Sequence, residues 1–504
     1  MTGARWEWRT FGAGAEAGAP AFIGHTPTGE ADSDERYLLS AGGSTVKIRA
    51  GLMDVKSMLA LDANGLQQWR PVLKAPFPVP ASTLEVVWEA LDLPVPSLVR
   101  DTYSAEELEA ELTGPGTRVR LVDVHKHRVR FEVGGCTSEL TDVVADGRAT
   151  RTIAVEAEDP DAVASAVRTL GLGDYRNTAY PPGLTALLDD VPARYAVIDA
   201  GTNSIKFHVA QRDRTGALVM VVDRAELTRL GEDLERTGVV SDAALDRTRS
   251  AIAGMVAEAD GLHAVAIAAV GTAGLRIAAN REAVVDAVAL ETGVRIEVIP
   301  GEEEARLAYL AVLAALGMPD ASIAVFDTGG GSTQLTFGRG DEVTERFSVD
   351  VGAVGYTERF GLDDRVDEDA LAEPLAAIHA DLARLDRRAP VDRLVGMGGA
   401  VTNIAAVSHG MTRYDPEVIQ GSVLERAEVA RQLELYRARS ADERRSIPGL
   451  QPKRAEVILA GACIVASVMD ALGVDRLTVS DRGLRHGVLA TRFGAQPTPT
   501  EVST

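Results

Sequence analysis

The chain has 504 residues, 46% of them hydrophobic and 25% charged, and carries a formal net charge of −22. That length exceeds one hydrophobic core and implies two or three domains, while so acidic a balance excludes nucleic acid as a general partner without excluding a local basic channel. Met1 to Pro20 lacks the apolar core of a signal peptide, and the apolar run Ala462 to Leu472 is too short to span a bilayer, so the expectation is a cytoplasmic protein with no membrane partner. The two cysteines, Cys136 and Cys463, lie far apart among small or apolar residues and read as buried reduced thiols.

In chain order, residues 1–178 read as short strands rich in basic residues. Lys47 with Arg49, Arg118 with Arg120, and Arg128 with Arg130 are spaced by two, which puts each pair on one face of a strand and Val46, Ile48, Val119 and Leu121 on the other. Such charges usually face water. Repeated pairs, with Glu7, Lys74 and Arg148, also suit a small barrel with a cationic lumen that draws in a polyanion despite the acidic total. A helix is predicted from Asp159 to Leu170, then a break at Tyr180-Pro181-Pro182-Gly183, so 179–193 reads as a linker.

From Arg194 the rhythm becomes strand–helix alternation, the mark of an α/β fold. Helices are predicted over Ser241–Glu258 and Glu302–Ala315, and strands over Ala264–Ala269 and Val294–Ile299. The expected divisions are 194–320 and 321–495, with a disordered polar tail at 496–504. Two turns in this region look alike: Asp199-Ala200-Gly201-Thr202-Asn203-Ser204 and Asp327-Thr328-Gly329-Gly330-Gly331-Ser332-Thr333. Each follows an apolar strand and leads into another. Glycine lets backbone N–H groups close on phosphoryl oxygens, the hydroxyls add donors, and a strand-end Asp can hold a metal ion. A single Asp-Gly turn is ordinary hairpin chemistry; the duplication implies two related lobes with phosphate held between them.

Further segments follow in order: Gly271-Thr272-Ala273-Gly274-Leu275-Arg276, Gly301-Glu302-Glu303-Glu304-Ala305-Arg306, Gly352-Ala353-Val354-Gly355, Gly396-Met397-Gly398-Gly399-Ala400 and Ser480-Asp481-Arg482-Gly483-Leu484-Arg485. With the two Asp turns these make Arg194 to about Gly494 resemble the short form of the Ppx/GppA family of exopolyphosphatases and guanosine pentaphosphate phosphohydrolases. The resemblance implies two ribonuclease-H-like lobes of the actin–Hsp70–sugar-kinase superfamily. It implies Glu304 as general base, Asp199 and Asp327 as Mg²⁺ ligands, and Lys206 and Arg276 as phosphate cations. Gly201, Thr202, Asn203, Ser204, Gly329, Gly330, Gly331, Ser332, Thr333, Gly398 and Gly399 become phosphate-binding positions, and relatives suggest a homodimer. One departure stands out: the family usually has Glu after Gly-Gly-Gly-Ser-Thr, and this chain has Gln334, which can hydrogen-bond but cannot accept a proton or neutralise a cation.

The N-terminal pattern is similar, more weakly, to the CYTH family of triphosphate tunnel domains, which opens with Glu-x-Glu-x-Lys. Here the opening is Glu7-Trp8-Arg9-Thr10-Phe11, so the second Glu and the Lys are missing; Glu139 and Asp142, then Glu156 and Glu158, are candidates for its later acidic positions. The resemblance implies an α+β antiparallel barrel whose tunnel includes Glu7, Lys47, Arg49, Lys74, Arg118, Arg120, Arg128, Arg130 and Arg148. Three functions stay open at this level. They are an Mg²⁺-dependent exopolyphosphatase releasing orthophosphate from inorganic polyphosphate, a guanosine pentaphosphate phosphohydrolase, and a weakly catalytic binding sensor in which Gln334 blunts hydrolysis.

Overall fold

A computed structural model describes residues 4–62, 65–114, 118–318, 320–386 and 388–494. The expected disordered tail, 496–504, lies outside the described residues. The chain divides into two compact units whose described residues are 4–297 and 298–494.

The first unit begins with a closed barrel of β1 (Arg5–Phe11), β2 (Gly29–Leu39), β3 (Thr45–Arg49), β4 (Leu52–Leu61) and β5 (Gln67–Pro76), a side pair β6 (Val79–Pro80) and β7 (Thr102–Tyr103), and then β8 (Arg120–Val133), β9 (Cys136–Ala145) and β10 (Arg148–Ala157). The barrel order is β1-β10-β9-β8-β2-β3-β4-β5, closing from β5 back to β1. It is consistent with a CYTH-like domain. The strands run up to 14 residues, longer than the short strands expected, because antiparallel hairpins carry them across the barrel in one pass. Asp146-Gly147, with φ of 45° and 81°, makes the tight β9–β10 turn in the conformation this dipeptide favours.

Alternation decides what faces where. On β3, Val46 packs outward against the helices Ala81–Ala90 and Ala105–Leu112, while Lys47 is directed inward. Outside, Leu84, Val87, Trp88, Leu108 and Leu112 cover the same wall. Tyr180-Pro181-Pro182-Gly183, read as a break, is instead the first turn of a helix, Tyr180–Leu188. Proline is tolerated there because first-turn N–H groups have no intrahelical acceptor. That helix stops one mouth of the barrel: Leu184 and Leu188 are buried with the inward-facing Leu39, Val122, Val124 and Val143.

Residues 174–178 hydrogen-bond on both sides. Arg9 N–H donates to Asn177 Oδ1 (2.9 Å), and the Asn177 amide donates to the Glu7 carbonyl (2.9 Å). Arg176 N–H donates to the carbonyl of Val265, and Tyr175 bridges to Ala266. The second element of the unit is a sheet ordered β13-β12-β11-β14-β15, from β11 (Arg194–Ala200), β12 (Ser204–Arg212), β13 (Leu218–Leu227), β14 (Ala264–Gly271) and β15 (Glu297–Val298). The expected strand over Val294–Ile299 is reduced to those two residues of β15.

The second unit is built on a sheet ordered β18-β17-β16-β19-β21-β20, from β16 (Ser322–Thr328), β17 (Thr333–Arg339), β18 (Glu342–Val349), β19 (Arg393–Met397), β20 (Val423–Glu425) and β21 (Arg476–Val479). Its core is the apolar helix Ile458–Ala471, packed against helices that include Gly398–Ser408 and Arg426–Arg437. In both sheets the first strand pairs antiparallel with the second and parallel with the fourth. The duplication read in the two Asp turns is therefore a duplication of topology. Among the described residues no helix is long and apolar enough to cross a membrane.

Candidate functional site

In the first lobe, β11 delivers Asp199 to the sheet's end, where its side chain is buried. Lys206, its cross-strand partner on β12, donates from Nζ to Asp199 Oδ2 at 3.2 Å. The intervening turn is tight: Gly201 N–H reaches the Ser204 carbonyl (3.2 Å), and Gly231 N–H reaches that of Thr202 (2.8 Å). A Cβ on Gly231 would lie 2.2 Å from Thr202 Cγ2, so the turn is gripped from outside. Thr202 and Asn203 remain exposed at its tip. Arg276 sits half-buried in the short helix Ala273–Ile277, and Gly274 packs beside Thr202.

The second lobe repeats the plan. Asp327 ends β16 half-buried, and Gln334 is its cross-strand partner on β17. The turn closes through Gly329 N–H to the Ser332 carbonyl (2.9 Å). Gly330 accepts from Val354 N–H (2.8 Å), and Thr333 Oγ1 donates to the Val351 carbonyl (2.6 Å). Gln334 Nε2 donates to Ser332 Oγ at 2.8 Å, tying the amide to the turn itself. Gly398 has φ of 85° and comes so near that a Cβ would lie 2.3 Å from Asp327 Oδ1; Gly399 is pressed in the same way against the Arg454 guanidinium. Gly398 thus shapes the carboxylate's wall, and Gly399 leaves room for the Arg454 guanidinium. Glu302, Glu303 and Glu304 occupy the first turn of the helix Gly301–Leu316, which the helix dipole favours. Glu302 is ion-paired with Arg346, and Glu303 holds Arg306 at 2.7 Å; Glu304 is half-buried.

The barrel encloses a cavity of about 230 Å³. Of the expected tunnel residues, Glu7, Lys47, Arg49, Arg128 and Arg130 line it. Lys74, Arg118, Arg120 and Arg148 do not, which corrects the sequence reading. Arg118 precedes β8 and is exposed, and Lys74 is exposed opposite Asp54 on β4. Arg120 and Arg148 begin their strands at the stopped mouth, where Arg120 pairs with Asp189 (3.0 Å) and Arg148 donates to the Leu187 carbonyl (3.0 Å). They serve the C-terminus of the stopper helix, where cations are favoured. Of the expected acidic residues Glu139 and Glu156 line the cavity, whereas Asp142 pairs outside with Arg151 and Glu158 lies exposed beyond β10.

Sequence reasoning missed the centre of this cavity. Glu35 on β2 is fully buried and binds Lys47 (3.0 Å), Lys126 (2.9 Å) and Arg128 (2.5 Å). Lys126 also donates to Tyr37 Oη (2.6 Å), and its ammonium lies 3.4 Å from the Tyr180 ring centroid. Burial opposes ionisation of Glu35, yet Lys126, Lys47 and Arg128 outweigh it and hold the carboxyl well below the usual carboxylate range. Burial pulls the Lys126 ammonium down to about 7, with Glu35 only partly offsetting it. Burial and the neighbouring Lys126 charge bring Lys47 to about 8. Lys126 was detectable: Lys126-His127-Arg128-Val129-Arg130 continues the spacing-two run by one step.

The Ppx/GppA phosphatase family profile matches residues 209–494. The chain belongs to the Ppx/GppA phosphatase family. Exopolyphosphatase 2 of Mycobacterium tuberculosis is 30% identical over 316 residues, 60% of this chain and 99% of that protein. Guanosine-5'-triphosphate,3'-diphosphate pyrophosphatase of Photobacterium profundum is 28% identical over 58% of this chain and 58% of its own length. Among solved structures, the Aquifex aeolicus Ppx/GppA phosphatase is 33% identical, covers 60% of this chain and 99% of its own, and superposes with a TM-score of 0.55.

Proposed function

We propose that this phosphoanhydride hydrolase removes terminal phosphates from inorganic polyphosphate as orthophosphate, with Mg²⁺, and that the barrel binds the same polyanion. The observation that carries the reading is the duplicated strand-end Asp with its glycine turn, in a family whose relatives include a protein named exopolyphosphatase. Phosphoanhydride hydrolysis needs positioning, charge neutralisation and an oriented water more than covalent chemistry. The turns at Gly201–Ser204 and Gly329–Ser332 supply N–H and hydroxyl donors to phosphoryl oxygens, with Lys206 and Arg276 adding positive charge; the buried Thr333 hydroxyl donates to the Val351 carbonyl instead. Glu304 takes the proton of the attacking water. Gln334, fixed by Ser332, orients that water or the phosphate but cannot take its proton.

Asp199 and Asp327 are each a strand-end carboxylate of the kind that would hold a Mg²⁺ ion, with phosphate oxygens and waters completing its shell. Such an ion would neutralise phosphate charge, and at Asp199 it would share the carboxylate with the Lys206 ammonium. A cytoplasmic location and a homodimeric state belong to the same proposal.

Two other readings each have an observation behind them. The Photobacterium relative favours guanosine pentaphosphate as substrate. Gln334 favours a protein that binds polyphosphate and turns it over slowly. Phosphate release from polyphosphate and from guanosine pentaphosphate, with Mg²⁺, separates all three when the natural chain is compared with Gln334→Glu and Glu304→Ala. The exopolyphosphatase reading expects release from polyphosphate by the natural chain and loss of at least about 100-fold in Glu304→Ala. An inactive natural chain revived by Gln334→Glu establishes the binding protein instead. Full activity in Glu304→Ala refutes the base assignment.

A further inference from the structure

We propose that the barrel takes its polyanion without a metal ion, the protein's own buried cations supplying the positive charge. The inference rests on the reading that the barrel binds polyphosphate, and it sharpens that reading. It follows from what surrounds each carboxylate of the lumen.

Glu7 and residue 9 lie on the same face of β1, and residue 9 is Arg. Glu7 has a second carboxylate beside it, Glu156, its cross-strand partner on β10, but both are committed to cations rather than left for a metal. The Arg9 Nε donates to Glu7 Oε1 at 2.9 Å, Nη1 donates to Thr152 Oγ1 at 3.2 Å, and the guanidinium lies 4.5 Å from the Tyr180 ring centroid. The other carboxylates are taken as well. Glu35 is shared by Lys47, Lys126 and Arg128; Glu139 accepts from Arg130 (3.2 Å); Glu156 faces Arg5 (3.4 Å). Among the described residues, no three carboxylates of the barrel gather closely enough to share one ion. With Glu7 engaged by Arg9, Glu139 by Arg130 and Glu156 by Arg5, the lumen offers a divalent cation no uncommitted carboxylate.

It fits an anion. Seven cations line the cavity, against Glu7, Glu139, Glu156 and the buried Glu35 behind them. This local excess of positive charge sits in a chain of net charge −22. Glu35 uses up part of that charge, including a longer 3.6 Å pair with Arg49, but Arg49 and Arg130 are about half exposed at the open mouth and can exchange their carboxylate partners for an entering phosphate. Arginine suits that role because its planar fork pairs with phosphate oxygens two at a time. The helix Tyr180–Leu188 stops the opposite mouth. A linear polyanion therefore enters end first and is held, with no water activated on it.

The full-length chain offers a reporter. All four of its tryptophans, Trp6, Trp8, Trp69 and Trp88, belong to the barrel region, and Trp69 lines the cavity. Tryptophan emission is titrated with inorganic tripolyphosphate, once in EDTA and once in Mg²⁺, with calorimetric titration in parallel. The expected result is a saturable change in EDTA that weakens in Mg²⁺, because Mg²⁺ neutralises the ligand. It should also weaken at least about tenfold in the double variant Arg49→Ala/Arg130→Ala, whose side chains are exposed enough to spare the fold. A change that appears only with Mg²⁺ overturns the metal-free inference while leaving barrel binding intact. No change in either condition, with calorimetry that does not distinguish the double variant from the natural chain, overturns barrel binding and the inference together.

Discussion

Replacing Glu35 by Gln keeps the side chain's shape and removes the negative charge on which Lys47, Lys126 and Arg128 converge. Glu35 is 0% exposed and Lys126 is 1% exposed, so water cannot take over the lost interaction. Breaking a buried pair by removing one partner costs about 3–5 kcal/mol, because the remaining charge is left uncompensated. For 150–250 cooperative residues each kcal/mol moves Tm by about 2–4 °C, so Glu35→Gln should lower the barrel's Tm by about 6–20 °C. Tryptophan-monitored melting measures this directly, since all four tryptophans report the barrel region. The pH dependence gives a second check. Because Glu35 is held far below its ordinary range, its contribution is present above the unfolded carboxylate value and is lost as pH falls through the native one. Lys126 and Lys47 behave oppositely: their native values are depressed, so their burial penalty is full at low pH and is relieved as pH rises from about 7 and 8 toward 10.5. The defect of Glu35→Gln should therefore shrink between pH 6 and pH 9, as the uncompensated lysines release their protons. A Tm change below about 2 °C at pH 6, worth less than about 1 kcal/mol, would refute the account of Glu35 as the lumen's central anion.

Three further outcomes follow from other parts of the molecule. Gly398→Ala forces φ of 85° on alanine and sets its Cβ against Asp327 Oδ1, so phosphate release should fall at least about 100-fold with circular dichroism unchanged. Normal activity would show that Asp327 tolerates displacement. Tripolyphosphate binding at pH 8 should take up roughly one to two protons, as the ligand recharges Lys126 and Lys47 from native values near 7 and 8. Calorimetry in two buffers of different ionisation enthalpy counts them, and zero uptake contradicts lysine involvement. Arg444 is fully buried and donates to the carbonyls of Tyr436, Leu362, Ala455 and Asp364, so Arg444→Met should destabilise the second unit by about 3 kcal/mol or more; an unchanged denaturation midpoint would refute this.

The C-terminal lobes were legible because their signal is local. A strand-end Asp followed by glycine and hydroxyl residues must turn sharply, and two such turns at corresponding points imply two corresponding sheets. The helix expected over Glu302–Ala315 is the observed Gly301–Leu316, its acidic first turn being a local signal. The barrel lumen was only half legible, because period-two alternation tells which residues share a face but not where along the barrel that face meets solvent. Arg120 and Arg128 share a face of β8, yet one caps the stopper helix while the other binds Glu35. Glu35 and Tyr180 carried no local signal at all. Their roles come from strand pairing across 91 residues and from a helix whose prolines resembled a break.

The two lobes make the meaning of Gln334 more specific than the sequence alone allows. Lys206 and Gln334 hold equivalent places, each cross-strand from its lobe's strand-end Asp. In the first lobe that place holds a cation, and the pair Asp199–Lys206 is neutral as built. A glutamate at 334 would instead stand beside Asp327 at cross-strand distance, where two carboxylates about 5 Å apart repel by about 3 kcal/mol at an effective dielectric of 20. Such a pair would demand a bound cation before it could accept an anionic substrate. Gln334 avoids that repulsion and keeps a donor for Ser332. Under the proposed mechanism the same side chain also lacks the proton-accepting and cation-neutralising capacity of a glutamate. Under that mechanism, Gln334→Glu should therefore move anion affinity and turnover in opposite directions. The barrel shows the same tendency, with Arg9 two residues from Glu7 on the face where a second carboxylate would stand. In both places a position where the resemblance expects a carboxylate is occupied by a side chain that donates to the neighbouring polar group.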